Sequence, residues 1–182
     1  MTLTHKACNE FLKTHLALLL FVGQKKKIVP LKTNLKKFLD LNLKIKFKCR
    51  EAIFNNEDLI DEYIASNFDH LTDEQIKIVN GFKMKVKSNF VILKCLTNHA
   101  IFIDSNDNKF YAVKALTDPF DTFFHKFPVY TSTALIPFKD KIIYDGFFQS
   151  SGIYIGPNLT KRMAEEFKIA KQNKKIIDRL DT

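Results

Sequence analysis

Tryptophan is absent from the 182 residues, and glycine and proline occur only five times each. Cysteine occurs three times, and arginine only as Arg50, Arg162 and Arg179. With 46% apolar and 27% charged residues, the chain is not disordered, collagenous or embedded in a membrane. Cys8, Cys49 and Cys95 are odd in number and far apart, and no two have C-x-x-C spacing. That excludes a disulfide framework and a cysteine zinc site, and it fits free buried thiols in a reducing cytoplasm. The scarcity of arginine bears on recognition. The guanidinium fork reads base edges, whereas the lysine ammonium is a point charge suited to phosphate. The bias toward Lys, Phe, Ile and Asn also follows A/T-rich codon usage.

Motifs of known chemistry are missing as well. There is no G-x-S-x-G, no phosphate-binding Walker loop and no G-x-G-x-x-G. His5, His15, His70, His99 and His125 are scattered, and none forms an H-E-x-x-H pair. No metal or cofactor is expected. The longest apolar run, Leu16 to Gly23, is too short to cross a bilayer. It follows Lys6 and Lys13, as in a signal peptide, but Lys25-Lys26-Lys27 comes after it in place of a small-residue cleavage site. Its periodicity instead predicts a helix from about Leu3 to Val22. Leu3, Ala7, Phe11, Leu12, Leu16, Leu19 and Leu20 would form the apolar face. That face suits a core, a partner or a second copy of the chain, and the triple lysine leaves an interfacial membrane helix open.

What the chain has in excess is positive charge, +9 in all. Residues 1–50 hold 12 basic residues against Glu10 and Asp40, a net of +10, and residues 51–182 carry a net of −1. Such asymmetry implies an anionic partner, which could be nucleic acid, a membrane surface or the chain's own acidic stretch at 51–75. The candidate contacts to nucleic acid are Lys25, Lys26, Lys27, Lys36, Lys37, Lys44, Lys46, Lys48 and Arg50. Residues 39–49 alternate with period two, yet Leu41, Ile45, Cys49 and Ala52 also recur with helical spacing. A strand would align Lys44, Lys46, Lys48 and Arg50 in one strip, and a helix would dissolve it. The flanking patterns favour a helix over 43–54.

Gly23 to Pro30 reads as a basic linker. A helix is predicted over about 57–66, and Thr72 with Gln75 forms a capping box for another containing Ile76, Val79 and Phe82. After Lys87 the pattern turns to strands: Asn89–Leu96, Ala100–Ile103, Phe110–Val113, Tyr130–Ile136, Lys141–Tyr144 and Ile153–Ile155. A short helix starting at Thr117-Asp118-Pro119 interrupts them, with Phe120, Phe123, Phe124 and Phe127 on its apolar face. Asn158 reads as the cap of a last helix with Leu159, Met163, Phe167 and Ala170 on one face. The whole predicts an α+β protein, helical over 1–85 and antiparallel β over 86–182, with a curved sheet or half-open barrel of five or six strands and a closing helix.

The segment Leu135-Ile136-Pro137-Phe138-Lys139-Asp140-Lys141-Ile142-Ile143-Tyr144-Asp145-Gly146 resembles a group of uncharacterised bacterial proteins that share an L-x-P-F-K-x-K-I-I-Y-D-G run. The resemblance extends upstream to Tyr111 through Phe120 and downstream to Ala170-Lys171 and Ile176-Ile177, covering about 50–180. It implies a bacterial or mobile-element setting in the cytoplasm and transfers no functional residue.

Three functions remain open. One is a non-catalytic binding module whose basic N-terminal third meets nucleic acid or another acidic partner. The second is a protein-interaction or regulatory subunit that docks through the first helix, with homo-oligomerisation as one form of it. The third is a metal-dependent nuclease built on Asp104, Asp107, Asp118, Asp121, Asp140 and Asp145, although aspartates near strand ends commonly serve turns. His99 is placed to meet Asp104. Gly156 to Asn158, with Lys161 and Arg162, is placed to hold an anion at a helix start.

Overall fold

The computed structural model describes residues 1–180, apart from the side chain of Ser151. The chain divides into two compact units. One is Lys6–Lys83, and the other joins Met1–His5 to the chain from Met84 onward.

The first unit is helical: α1 (His5–Lys25), α2 (Leu35–Leu39), α3 (Leu43–Asn55), α4 (Asp58–Asn67) and α5 (Asp73–Gly81). The ambiguous 39–49 stretch resolves as helix, because Asn42 caps α3 by accepting from the Lys44 amide at 2.8 Å. Thr72 and Gln75 form the expected capping box. Three expectations need correction. Leu3 is not helical, since its amide donates to the Ala115 carbonyl beside a parallel bridge of Thr2 with Ala115. The buried stripe of α1 is rotated from the expected one and runs through Cys8, Phe11, His15, Leu18, Leu19 and Val22. Gly23 lies inside α1, where an added Cβ would come 2.8 Å from Cys49 Sγ and 3.1 Å from Val29 Cγ2. The linker therefore begins only at Lys26.

The second unit is built on β1 (Val86–Cys95), β2 (Ala100–Asp104), β3 (Phe110–Lys114), β4 (Val129–Phe138) and β5 (Lys141–Tyr144). The strand order is β1-β2-β3-β5-β4, and β4 also pairs with β1, from Val86 opposite Leu135 to Ile92 opposite Val129. The barrel is closed rather than half-open. β3 and β5 run parallel while the other pairs in the ring are antiparallel. This is the connectivity of the OB-type Greek-key barrel. α6 (Phe120–Phe123) lies between β3 and β4, β6 (Gln149–Tyr154) adds to β4, and α7 (Pro157–Gln172) precedes β7 (Ile176–Ile177). Ile176 and Ile177, which the sequence pattern left outside any strand, pair in parallel with Phe110 and Tyr111. Gly156, not Asn158, occupies the cap position of α7.

Alternation sends one set of side chains inward. Phe90 and Phe102 meet edge to face at 5.9 Å, Phe90 meets Tyr111 at 6.1 Å, and Phe102 meets Phe120 at 5.2 Å. Phe120 reaches from α6 and also touches Tyr144 at 5.5 Å. The rings thus form one chain, with α6 supplying a link. The opposite faces of β1, β2 and β3 are also buried. Val91, Leu93, Ile101, Ile103 and Phe110 form a second core with Phe167 and Ala170 of α7.

Phe120 is fully buried, whereas Phe123 one turn on is 45% exposed. Phe120→Ala is expected to cost about 3–5 kcal/mol and Phe123→Ala less than about 1 kcal/mol. Urea unfolding of the two variants beside the parent chain measures both.

Candidate anion-binding cleft

The lysines singled out by charge are mostly at the surface but do not form one strip. Lys25, Lys26, Lys27, Lys36, Lys37, Lys44 and Lys48 are exposed. Lys25 is ion-paired with Glu62, and Lys46 is half-buried with its ammonium donating to the Leu39 carbonyl at 2.6 Å. Arg50 leaves the set altogether. It is 3% exposed, donates to Glu51 at 2.7 Å, and its guanidinium lies 5.0 Å from the Phe47 ring centre and 4.6 Å from that of Phe54. Because 39–49 is helical, the strip that a strand would have aligned does not exist. The acidic helices belong to the same unit as these lysines, and Lys83 pairs with Asp61 at 2.5 Å. Divided by unit instead of at residue 50, the charge is +4 for residues 6–83 and +5 for the remainder of the chain.

The barrel holds its own cationic site, which sequence reasoning missed. A cleft of about 300 Å³ is lined by Asn98, His99, Ala112, Lys114, Lys141 and Asp178. Asn98 and His99 come from the β1–β2 connection, Ala112 and Lys114 from β3, and Lys141 from the start of β5. Along one edge, β3 pairs with β7 at Phe110 and Tyr111 and then with β5 at Val113 and Lys114. The cleft sits by that change of partner, between Asp178, just past β7, and Lys141, the first residue of β5. The Met1 ammonium donates to the Thr97 carbonyl at 2.9 Å nearby. Burial lowers the His99 pKa below 6.5, and Lys114, the N-terminal ammonium and Lys171 push it the same way against the pull of Asp178. Burial is the larger cause, and the cations that add to it outnumber the one carboxylate that opposes them. Lys141 also bonds Asp140 at 2.7 Å, which holds the Asp140 carboxyl below its ordinary range.

OB-type barrels commonly bind along the β2–β3 face and at the β1–β2 and β4–β5 loops. Here Phe167 of α7 covers part of that face, 6.0 Å from Phe110, with Lys94 lying 4.5 Å over the Phe167 ring. The open part is the cleft, whose lining offers two lysines, the Asn98 amide, the Asp178 carboxylate and, as its one ring, the His99 imidazole. Its two lysines suit a phosphate, and it has no Phe, Tyr or Trp on which a base would stack.

The aspartates are engaged locally. Asp104 accepts from Ser88 Oγ at 2.7 Å and from the Asn106 amide at 2.9 Å. It closes β2 at the end opposite to His99, so the two do not meet. Asp107 accepts from the Lys109 amide at 3.0 Å, and Asp118 accepts from Thr117 Oγ1 at 2.8 Å. Asp145 is fully buried and accepts from the Phe147 amide at 3.2 Å and Thr133 Oγ1 at 3.3 Å. Among the described residues, no three of His, Cys, Asp and Glu gather as metal ligands would. At the start of α7, Arg162 is turned to Glu166 at 3.4 Å, and no side chain caps the helix. Cys8, Cys49 and Cys95 are free thiols, and burial pushes Cys49 and Cys95 up to about 11. Among the described residues, no helix is long and apolar enough to cross a membrane. Comparison with family models, with curated proteins and with solved structures found no match.

The most perturbed titrating group is His15, 3% exposed, with its ring 5.4 Å from Phe11 and 4.6 Å from Phe82. Burial, aided by the Arg50 charge, pushes its pKa down to about 3. Between pH 6.5 and about 3 the unfolded chain therefore binds a proton that the folded chain refuses. Stability from this residue is complete above pH 6.5 and falls with acidification, by roughly 1 kcal/mol per pH unit. Denaturant unfolding at pH 7, 6 and 5 measures the slope. His15→Leu should flatten it, whereas an unchanged slope would place its source elsewhere.

Proposed function

We propose that this protein is a non-catalytic binding module of the cytoplasm that holds nucleic acid through its phosphates. The observation that carries the reading is the barrel cleft, which Lys114, Lys141 and His99 line together. The strand connectivity adds weight, because the cleft lies at loops that OB-type barrels use for oligonucleotides and oligosaccharides. Fold alone does not assign function, so the charge and shape of the cleft bear the argument. The exposed lysines of the helical unit, Lys26, Lys27, Lys36, Lys37, Lys44 and Lys48 among them, add a diffuse positive field that speeds encounter with a polyanion. With three arginines in the chain and no Phe, Tyr or Trp in the cleft, contact runs through the backbone, and sequence is not read.

The reading makes a combined prediction. Binding of a fluorescent single-stranded oligonucleotide should weaken steeply as salt rises, because each phosphate contact releases counterions. Lys114→Gln with Lys141→Gln should lower the steepness by about two contacts and weaken binding about tenfold or more at low salt. Burial and nearby cations lower the His99 pKa, and a bound phosphate favours the charged imidazole, so binding should tighten as the pH falls and His99 takes up a proton. His99→Gln should remove that pH dependence. No binding at low salt, or binding indifferent to the double variant, would refute the assignment of this cleft.

A further inference from the structure

Leu31, Leu35, Leu39 and Leu43 recur every four residues, and all four are exposed, at 79%, 37%, 48% and 62%. Across the same stretch Lys32, Lys36, Lys37 and Lys44 are exposed too, and Asp40 is the one acid. Of residues 31–44 only Phe38 is fully buried, and it anchors the short α2. The segment is held in shape. Gln24 Nε2 donates to the Leu31 and Thr33 carbonyls at 2.8 Å each, Asn34 Oδ1 accepts from the Lys37 amide at 2.9 Å, and the Lys46 ammonium takes the Leu39 carbonyl.

Phosphodiester contact accounts for the lysines and leaves the leucines wet. The segment asks for a surface that takes both kinds of side chain at once. Leu31 and Leu43 are the most exposed of the four and do not line the groove that Leu35 borders with Leu20, Phe21 and Tyr63. Exposed leucines set among cations, displayed on a preordered backbone, match the boundary of an anionic bilayer. There the leucines enter the acyl edge and the ammonium groups stay with the phosphates. We infer that residues 31–44 form an interfacial anchor that docks the helical unit on an anionic phospholipid surface. This is independent of the barrel cleft.

The test is sedimentation of the full chain with phosphatidylcholine vesicles, alone or containing phosphatidylglycerol, beside a poly(dT) titration as a soluble polyanion control. The expected result is binding to the anionic vesicles and not to the neutral ones. The triple variant Leu31→Ser, Leu39→Ser, Leu43→Ser should bind those vesicles about tenfold or more weakly, with unchanged affinity for poly(dT). All three side chains are exposed, and an unaltered thermal unfolding curve confirms that the variant folds. Lys36→Gln with Lys37→Gln, a second variant, should also weaken vesicle binding. Absence of binding to anionic vesicles overturns the inference. So does equal binding by the triple variant, which would leave only a nonspecific charge effect. Leucine-dependent self-association without vesicle binding would assign the patch to a second copy of the chain and overturn it too.

Discussion

The pairing of β1 with β4 is the contact on which the barrel unit depends. Seven successive register pairs, Val86 with Leu135 through Ile92 with Val129, turn an open sheet into a ring. Closure removes the two edges that an open sheet would present to other chains. It also forces one face of every strand inward, so Phe90, Phe102 and Tyr111 must share a small interior. The strands do not fill it alone, since Phe120 arrives from α6 and touches both Phe102 and Tyr144. Closure further dictates where polar groups gather, because the ends of the strands and the loops joining them are the parts left open. Asp145 shows the cost of a carboxylate on the wrong side of that boundary. It is fully buried, and its bonds from the Phe147 amide and Thr133 Oγ1 turn the chain at Gly146, whose φ of +91° suits glycine.

Charge is organised by the fold and not by position along the chain. The excess of +10 in the first 50 residues is a true property of the sequence. Folding returns part of it to the acidic helices of the same unit, as Lys25 with Glu62 and Lys83 with Asp61 show. Such exposed pairs add little to stability, but they do lower the local potential. Arg50 goes further, giving up water for two phenylalanine rings and Glu51. Its charge then acts inward, helping to keep His15 neutral. In the barrel, by contrast, Lys114 and Lys141 are separated by 27 residues, and their proximity exists only because β3 and β5 are parallel neighbours.

That difference explains what could be read from the sequence. Local signals were legible: the capping box at Thr72 and Gln75, the turn at Asp104 to Asn108, Pro119 ahead of α6, and the strand runs themselves. Local chemistry, such as a side chain accepting its own neighbour's amide, needs no knowledge of the rest of the chain. Long-range pairing left no such trace. The β1–β4 closure joins residues more than 35 positions apart. The two parallel pairings of β3 join it to strands that follow in sequence only after other elements. Two isoleucines at 176–177 are too few to show a period, and only a waiting edge on β3 makes them a strand. The cleft was invisible for the same reason. Asn98, His99, Lys114 and Lys141 each look ordinary in their own segments, while the dense lysines near the N-terminus drew the eye by number.

The placement of α7 decides what kind of binding this barrel can support. A sheet that stacks bases needs exposed rings on its outer face, with room for a strand to lie across them. Here the outer positions Val91, Leu93, Ile101 and Ile103 are aliphatic, and Phe167 and Ala170 seal them from water. Uncovering that face would expose a second hydrophobic core, so the helix is part of the folded unit and not a removable cap. Phe110 is spent on Phe167, and Tyr130 packs against the same cluster. What remains open is the short reach of β3 beyond the helix, where the outward positions change from Phe110 to Ala112 and Lys114. A single strand thus changes character along its length, apolar where the helix lies and cationic where it does not. The cleft at that end, about 300 Å³ in volume, brings Lys114 and Lys141 together with Asn98, His99 and Asp178. The same helix that stabilises the barrel therefore limits the open part of this face to the cleft.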